Sequence, residues 1–547
     1  MKIVAAVFAD FVDSAPGGPS QLRTPLAGSS ILAHTLRRLA RVEGVAARCL
    51  YVRPRDQAAA EEVLQEAGLV GQIELLADDP GNRARRELTQ AARKWCLDAW
   101  RGTPLGITWF DEFVDPPTVA RVINHYRCHA ILCLDGHQPV FDPQIASAMV
   151  AHLKEHPNEC RFVFTQAPPG LSGLILHRRW LEDFLELGVP FGLMLSYRPE
   201  LTQRDPITHA SCYHVPPEVM QTAGRFTGDT LRSRELLEQA LRELGPDARA
   251  EALCAWSIQP GHDRAGPLPA EVELELTTDD PLPETQMRPR GSRVPQRTLM
   301  DLDAVARLAR ELAAYDDRLV FLGGHGDPLL HPQFAEVCRI LRAEGVYGIA
   351  VGTPLLELTA DNYEALFSYQ VDVIEVYLDA HRAATYEAVH KVDGFGRVLA
   401  NIQRLQRRRL EENCPRPIVV CSQTRCAATL AELEAFHDHW IQAVGSATIH
   451  GYNDYCGVLP PDTLLPTHPS LRAPCRRLGS RLMLLADGSV AQCSQDIGGL
   501  ASLGRWDRGT LVDTWEGSQL AALRRAHSIL ELETLPLCRR CTEWFRP

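Results

Sequence analysis

Short apolar runs alternate with amphipathic stretches along the first half of the chain. Ile3–Phe8 reads as a strand, Ser30–Arg41 as a helix with apolar residues at helical spacing, and Ala47–Arg53 as a second strand. Ala130–Leu134 is a further strand ending in Asp135-Gly136, and a helix begins at about Pro143. Strands that alternate with helices predict a mostly parallel, doubly wound sheet. The pattern breaks at Gln259–Pro269, a polar stretch rich in Pro and Gly that reads as a linker between domains.

From Glu271 a second alternation starts. Strands are expected at Val272–Thr278, Leu319–Leu322, Tyr347–Val351, Val371–Leu378, Pro417–Cys421 and Ala447–His450. Helices are expected at Asp301–Tyr315, Pro332–Ala343, Asp361–Tyr369, Phe395–Leu410 and Leu430–Val444. Six strand–helix units predict a partial (β/α)6 barrel of parallel strands, with its chemistry at the C-terminal strand ends. After Tyr452 the periodicity fades. Arg481–Leu485 and Val490–Cys493 then flank Asp487-Gly488, a hairpin signal. The division is therefore 1–255, a linker at 256–270, the part-barrel at 271–455 and a small module at 456–547.

Composition narrows the function classes. Apolar residues make up 45% of the chain and charged residues 23%, the values of a protein with buried cores. A net charge of -12 argues against a nucleic-acid binder or an anionic-membrane binder, because both need a basic footprint. The apolar run at the N-terminus stops at Asp10, too short for a secretory signal. No stretch approaches the roughly 18 apolar residues of a membrane helix. The expected location is the cytoplasm, where the 16 cysteines should not form structural disulfides. Cys49, Cys96, Cys133, Cys160, Cys254 and Cys338 stand singly among apolar neighbours and read as small core residues.

The late cysteines differ. Cys475 is followed after seventeen residues by Cys493, and Cys538 and Cys541 form a Cys-x-x-Cys. Cys-x-x-Cys brings two thiolates to one centre from a single turn, and cysteines before and after a hairpin supply two more. Four thiolates suit either Zn²⁺ or a [4Fe–4S] cluster, and spacing does not separate the two. Cys456, in a loop just upstream, reads first as a plain loop cysteine and second as an extra ligand.

The stretch from Cys475 through Leu485-Ala486-Asp487-Gly488-Ser489-Val490-Ala491-Gln492-Cys493, Thr514-Trp515 and Cys538-Arg539-Arg540-Cys541 resembles the SPASM-type C-terminal module of radical SAM proteins. The resemblance implies one auxiliary [4Fe–4S] cluster. The middle region is similar to the radical SAM core. Val272–Thr278 resembles its first strand. Phe321-Leu322-Gly323-Gly324-His325-Gly326-Asp327-Pro328 resembles its second strand and glycine-rich loop. That likeness assigns Gly323, Gly324, Gly326 and Asp327 to the amino group of S-adenosylmethionine. Glycines that permit a tight strand-to-helix turn explain the loop equally well, and His325 and His331 read as loop-lining residues.

The Cys-x-x-x-Cys-x-x-Cys that binds the catalytic cluster in that family does not follow. Its cysteine positions fall on Asp280, Glu284 and Met287, and no cysteine lies between 255 and 337. Carboxylates and a thioether are poor replacements for thiolates, so no catalytic cluster is expected there.

In the N-terminal region Pro16–Gly28, following the first strand, resembles the nucleotide loop of cytidylyltransferase-like enzymes. Such a loop wraps phosphates with backbone N–H groups. The likeness implies Arg23 as a phosphate contact and Asp135 as a Mg²⁺ ligand, with a bound nucleotide. Thr24 stands where the family has lysine, and His137 where it has the metal-binding acid. The order of modules is similar to that of spiro-SPASM proteins. Three functions follow as alternatives. One is a radical SAM-like protein that keeps one auxiliary cluster and acts in binding or electron transfer with a peptide or protein partner. The others are a Mg²⁺-dependent nucleotidyltransferase and an atypical radical SAM enzyme.

Overall fold

The computed structural model describes all residues except 79–82, 201–204, 260–261, 263–265, 467 and 547. It divides into two compact units, Met1–Asp263 and Arg264–Pro547. Residues 260–261 and 263–265 of the linker expected at 256–270 lie outside the described residues.

The first unit is built on six strands: β1 (Ile3–Phe8), β2 (Ala47–Val52), β3 (Glu74–Ala77), β4 (Ala130–Asp135), β5 (Phe162–Val163) and β6 (Leu174–His177). Their order is β3-β2-β1-β4-β6-β5. β1 and β4 are almost wholly buried, as strands covered on both faces are. The sheet is mixed rather than uniformly parallel: β6 runs antiparallel to β4, and β5 antiparallel to β6. Helix α1 (Ile31–Ala40) follows the loop after β1, and the hydroxyl of Ser30 caps it by accepting from the Ala33 N–H. Helices α2 (Gln57–Ala67) and α3 (Leu231–Leu244) also reach this loop through their side chains.

The second unit holds β7 (Glu271–Glu275), β8 (Leu319–Gly323), β9 (Gly348–Thr353), β10 (Val373–Tyr377), β11 (Ile418–Arg425), β12 (Ala447–Gly451), β13 (Arg481–Leu484) and β14 (Val490–Ala491). Their order is β12-β11-β10-β9-β8-β7-β13-β14. The first six are parallel neighbours in chain order, the open part-barrel that the alternation predicts. One strand face, including Val272, Leu274, Val320, Leu322, Ile349, Val351, Ile374 and Val376, is packed with helix residues into one apolar core. The period of two leaves Glu273, Glu275, Phe321, Glu375 and Tyr377 on the opposite face. A helix at Ala383–His390 lies between β10 and the helix Phe395–Glu411.

The terminal hairpin extends this same sheet, since β13 pairs in parallel with β7 from Arg481↔Glu271 to Leu484↔Leu274. Gly488 turns the hairpin at φ 87°, and a Cβ there would lie 2.5 Å from Asp507 Oδ2, so only glycine fits. Of the scattered cysteines, Cys49, Cys133, Cys160, Cys254 and Cys338 are buried and Cys96 is partly exposed. No helix among the described residues is long and apolar enough to cross a membrane.

Candidate functional site

The hairpin places Cys475 before β13 and Cys493 after β14, while Cys538 lies in the short helix Pro536–Arg540 with Cys541 at its end. Burial pushes the Cys493 thiol up to about 12 and the Cys538 thiol up to about 11, and it also raises Cys475. Cys541 behaves oppositely. The neighbouring Cys456 thiol outweighs burial and holds the Cys541 thiol below its ordinary value, which favours the thiolate. The Glu543 N–H also donates to Cys541 Sγ, at 3.3 Å.

Cys456 is the residue that sequence reasoning undervalued. It follows Tyr455 and precedes Gly457, and all three adopt left-handed backbone, at φ 51°, 56° and 92°. Two such non-glycine residues in a row are costly. The turn is closed by the N–H groups of Gly457 and Leu459, both donating to the Asp454 carbonyl. Its thiol faces the Leu537 carbonyl at 3.5 Å and the Cys541 sulfur. One S–H cannot serve both fully. With Cys541 as thiolate the charge-assisted bond to sulfur is the stronger.

Cys456, Cys475, Cys493 and Cys538 each sense the charge of at least one other cysteine, Cys541 in every case. Gln492 Nε2 donates to Cys538 Sγ at 2.8 Å. Arg472 donates to the carbonyls of Cys541 and Cys538, at 2.8 and 3.2 Å, and its guanidinium lies 4.9 Å from the Trp544 ring centroid. The Cys475 N–H donates to His527 Nδ1 at 3.2 Å, and burial holds that imidazole neutral, with a pKa lowered to about 4. Among the described residues, no three His, Cys, Asp or Glu side chains come together as a site for a single metal ion.

At the mouth of the part-barrel, the segment after β7 is an ionic strap. Asp280 accepts the Leu282 N–H at 2.7 Å and pairs with Arg290 at 2.6 Å, both side chains nearly fully buried. Glu284 is exposed, whereas Met287 is buried with Val389, Cys426, Tyr452 and Leu459. Arg288 pairs with Asp379 at 2.8 Å and sits 3.8 Å above the Tyr377 ring. Arg297 pairs with Glu275 at 3.1 Å, and His325 Nδ1 lies 2.8 Å from the same carboxylate. Burial opposes ionisation of Glu275, but His325 and Arg297 hold its pKa below the usual range.

The glycine-rich loop packs against this strap. A Cβ on Gly326 would lie 2.3 Å from the Thr277 carbonyl oxygen, and one on Gly324 2.7 Å from Glu275 Cβ. One on Gly323 would lie 2.4 Å from Phe321 Cε1. The Asp327 N–H donates to the Asp279 carbonyl at 2.8 Å. The three glycines thus let the loop pack tightly against β7, β8 and the segment that follows β7. Asp327 is fully buried, and burial with the nearby Asp280 pushes its carboxyl up to about 7. His331 bridges the Met300 carbonyl and the Gln333 N–H, a structural role.

In the first unit Arg23 forms an exposed pair with Glu62 at 2.9 Å, and Asp135 faces His137 Nδ1 at 3.4 Å. The two sequence-predicted residues are therefore each engaged by a protein side chain.

A curated relative, an uncharacterised protein of Treponema pallidum (strain Nichols), is 27% identical over 293 residues, covering 51% of this chain and 79% of that protein. Structural similarity is distant. A cytidylyltransferase from Leptospira borgpetersenii serovar Hardjo-bovis (strain JB197) gives a TM-score of 0.33 at 16% identity over 47% of this chain and 94% of its own. Streptococcus suis SuiB bound to precursor peptide SuiA gives 0.40 at 10% identity over 63% and 79%. Native anSMEcpe with bound AdoMet gives 0.37 at 11% identity over 50% and 90%. Residues 285–432, from the strap to just beyond β11, match the family model of the Radical SAM superfamily.

Proposed function

We propose that the second unit is a radical SAM-type scaffold that has given up the catalytic cluster and keeps one auxiliary [4Fe–4S] cluster, acting in binding or electron transfer with a peptide or protein partner. The observation that carries this reading is the gathering of Cys475, Cys493, Cys538 and Cys541 in one terminal module, while the strap after β7 has no thiol. A cubane distributes its four thiolates over four corners. When bound, such a cluster supplies one-electron transfer. Arg472 and Gln492 hold the Cys-x-x-Cys turn, and Cys456 and the Glu543 N–H donate to Cys541. Donors to ligating sulfur tune a cluster's potential.

The residues at the part-barrel mouth do not fit the catalytic group. Asp280 is engaged by Arg290, and Met287 is buried in apolar contact. No step through S-adenosylmethionine follows. A partner is supported by the segment ahead of Cys475, where Leu464, Leu465 and Leu471 are 44%, 64% and 82% exposed. Incubating reconstituted protein with S-adenosylmethionine and dithionite tests the proposal. No 5′-deoxyadenosine is expected, and its formation would restore the atypical radical enzyme.

A further inference from the structure

The four sulfurs of the terminal module already receive donors. Cys475 Sγ accepts the N–H groups of Arg477 and Leu478, and Cys493 Sγ accepts that of Gln495. Gln492 Nε2 donates to Cys538 Sγ at 2.8 Å, and the Glu543 N–H to Cys541 Sγ at 3.3 Å. A thiol sulfur is a weak acceptor and a thiolate a good one, so these are surroundings for thiolates. Positive charge stands beside them. The Arg472 charge reaches Cys538 and Cys541, and the Arg477 charge reaches Cys475, Cys493 and Cys541. Among the described residues neither arginine pairs with a carboxylate.

The same residues hold donors that nothing answers. Arg472 uses its two Nη groups on the carbonyls of Cys541 and Cys538, and Arg477 uses Nη1 on Ser494 Oγ at 3.2 Å. In both, the Nε–H is buried with no acceptor. His527 adds a third. Its Nδ1 accepts the Cys475 N–H at 3.2 Å, so the proton of the neutral ring sits on Nε2. That Nε2–H is also buried without an acceptor, in a side chain that feels the Arg472 charge and is 2% exposed. Buried donors without acceptors are costly. Three in one module point to acceptors that the protein itself does not supply. A zinc ion between the thiolates adds none, whereas an iron–sulfur cluster adds its bridging sulfides.

We propose that Arg472, Arg477 and His527 are positioning residues for the auxiliary cluster, giving their unanswered N–H groups to its sulfides while the two arginines offset its negative charge. This rests on reading the module as an iron–sulfur site. Two measurements on the reconstituted full chain test it. In the first, wild-type protein carrying nitrogen-15 at the arginine Nε or in the histidine ring is reduced with dithionite and studied by pulsed EPR. Hyperfine coupling of the cluster to both labels is expected. About four irons per chain with coupling to neither label overturns this proposal alone; protein without iron overturns the iron–sulfur reading with it. In the second, the midpoint potential is read in Arg477→Gln and Arg477→Lys. With iron unchanged, the oxidised-to-reduced ratio at a fixed potential should rise about tenfold in Arg477→Gln, a shift of about 59 mV to more negative values for one electron. Arg477→Lys, which keeps the charge and loses the Nε–H, should fall between it and wild type. A wild-type potential in Arg477→Gln at full iron overturns the proposal. The labelled wild-type protein needs no variant and decides the matter if Arg477→Gln loses its iron.

Discussion

The thiol of Cys456, in the turn after the last strand of the part-barrel, lies against the sulfur of Cys541, at the chain's closing Cys-x-x-Cys. It joins the turn after β12 to the terminal thiols and lowers the Cys541 thiol, while burial raises Cys475, Cys493 and Cys538.

That contact separates two roles for the five cysteines. Cys493→Ala and Cys541→Ala should each lose the bound metal and lower the Tm, because metal binding supplies folding free energy. Cys456→Ala should keep its iron but show a more negative midpoint potential, since a donor to ligating sulfur is removed. Iron analysis with a redox titration of the three variants checks this. Iron loss in Cys456→Ala would make Cys456 a ligand.

The strap after β7 should behave as structure. Asp280→Ala takes from the buried Arg290 guanidinium its carboxylate partner, and Arg288→Ala takes from the buried Asp379 its arginine, leaving it the Thr424 N–H and His390. Each should cost roughly 3–5 kcal/mol, as breaking a buried pair ordinarily does. Denaturant unfolding measures it, and losses within experimental error would show that the strap is loose.

Much of this architecture is legible in the chain. Val272-Glu273-Leu274-Glu275-Leu276 alternates as a strand with one apolar face does, and Asp487-Gly488 marks the hairpin where it forms. What could not be read is long-range. Nothing near Cys456 in sequence signals that its turn meets Cys541, and nothing near Arg481 signals pairing with Glu271. Gly323-Gly324-His325-Gly326 has the look of a ligand cradle. The same small residues equally permit the chain to pack on itself, and it does so through Thr277 and Asp279. The antiparallel edge of β5 and β6 escaped because both strands are short.

Asp327 gives a pH signature. Its pKa in the folded protein is about 7, against 3.8 for the ordinary side chain. A raised pKa means stabilisation that is present below about pH 4 and lost as pH rises through about 7. The loss is on the order of 4 kcal/mol, since each tenfold change in proton affinity is worth about 1.4 kcal/mol. Asp327→Asn should flatten this part of the stability profile, leaving the variant more stable than wild type at pH 8 relative to their difference at pH 5. Unfolding free energies at the two pH values test it, and identical slopes would show that Asp327 titrates normally.

Replacing Asp280, Glu284 and Met287 together by Cys should add no second cluster, because position 287 is buried among apolar neighbours while position 284 is exposed. Iron per chain should match wild type, and a doubling would mean the loop retains the cluster-binding conformation.

The most direct test of the central claim is the iron, sulfide and zinc content of anaerobically purified and reconstituted protein, read with its visible spectrum. About four irons and four sulfides per chain with broad absorbance are expected for one auxiliary cubane. Zinc without iron, or about eight irons per chain, would contradict it.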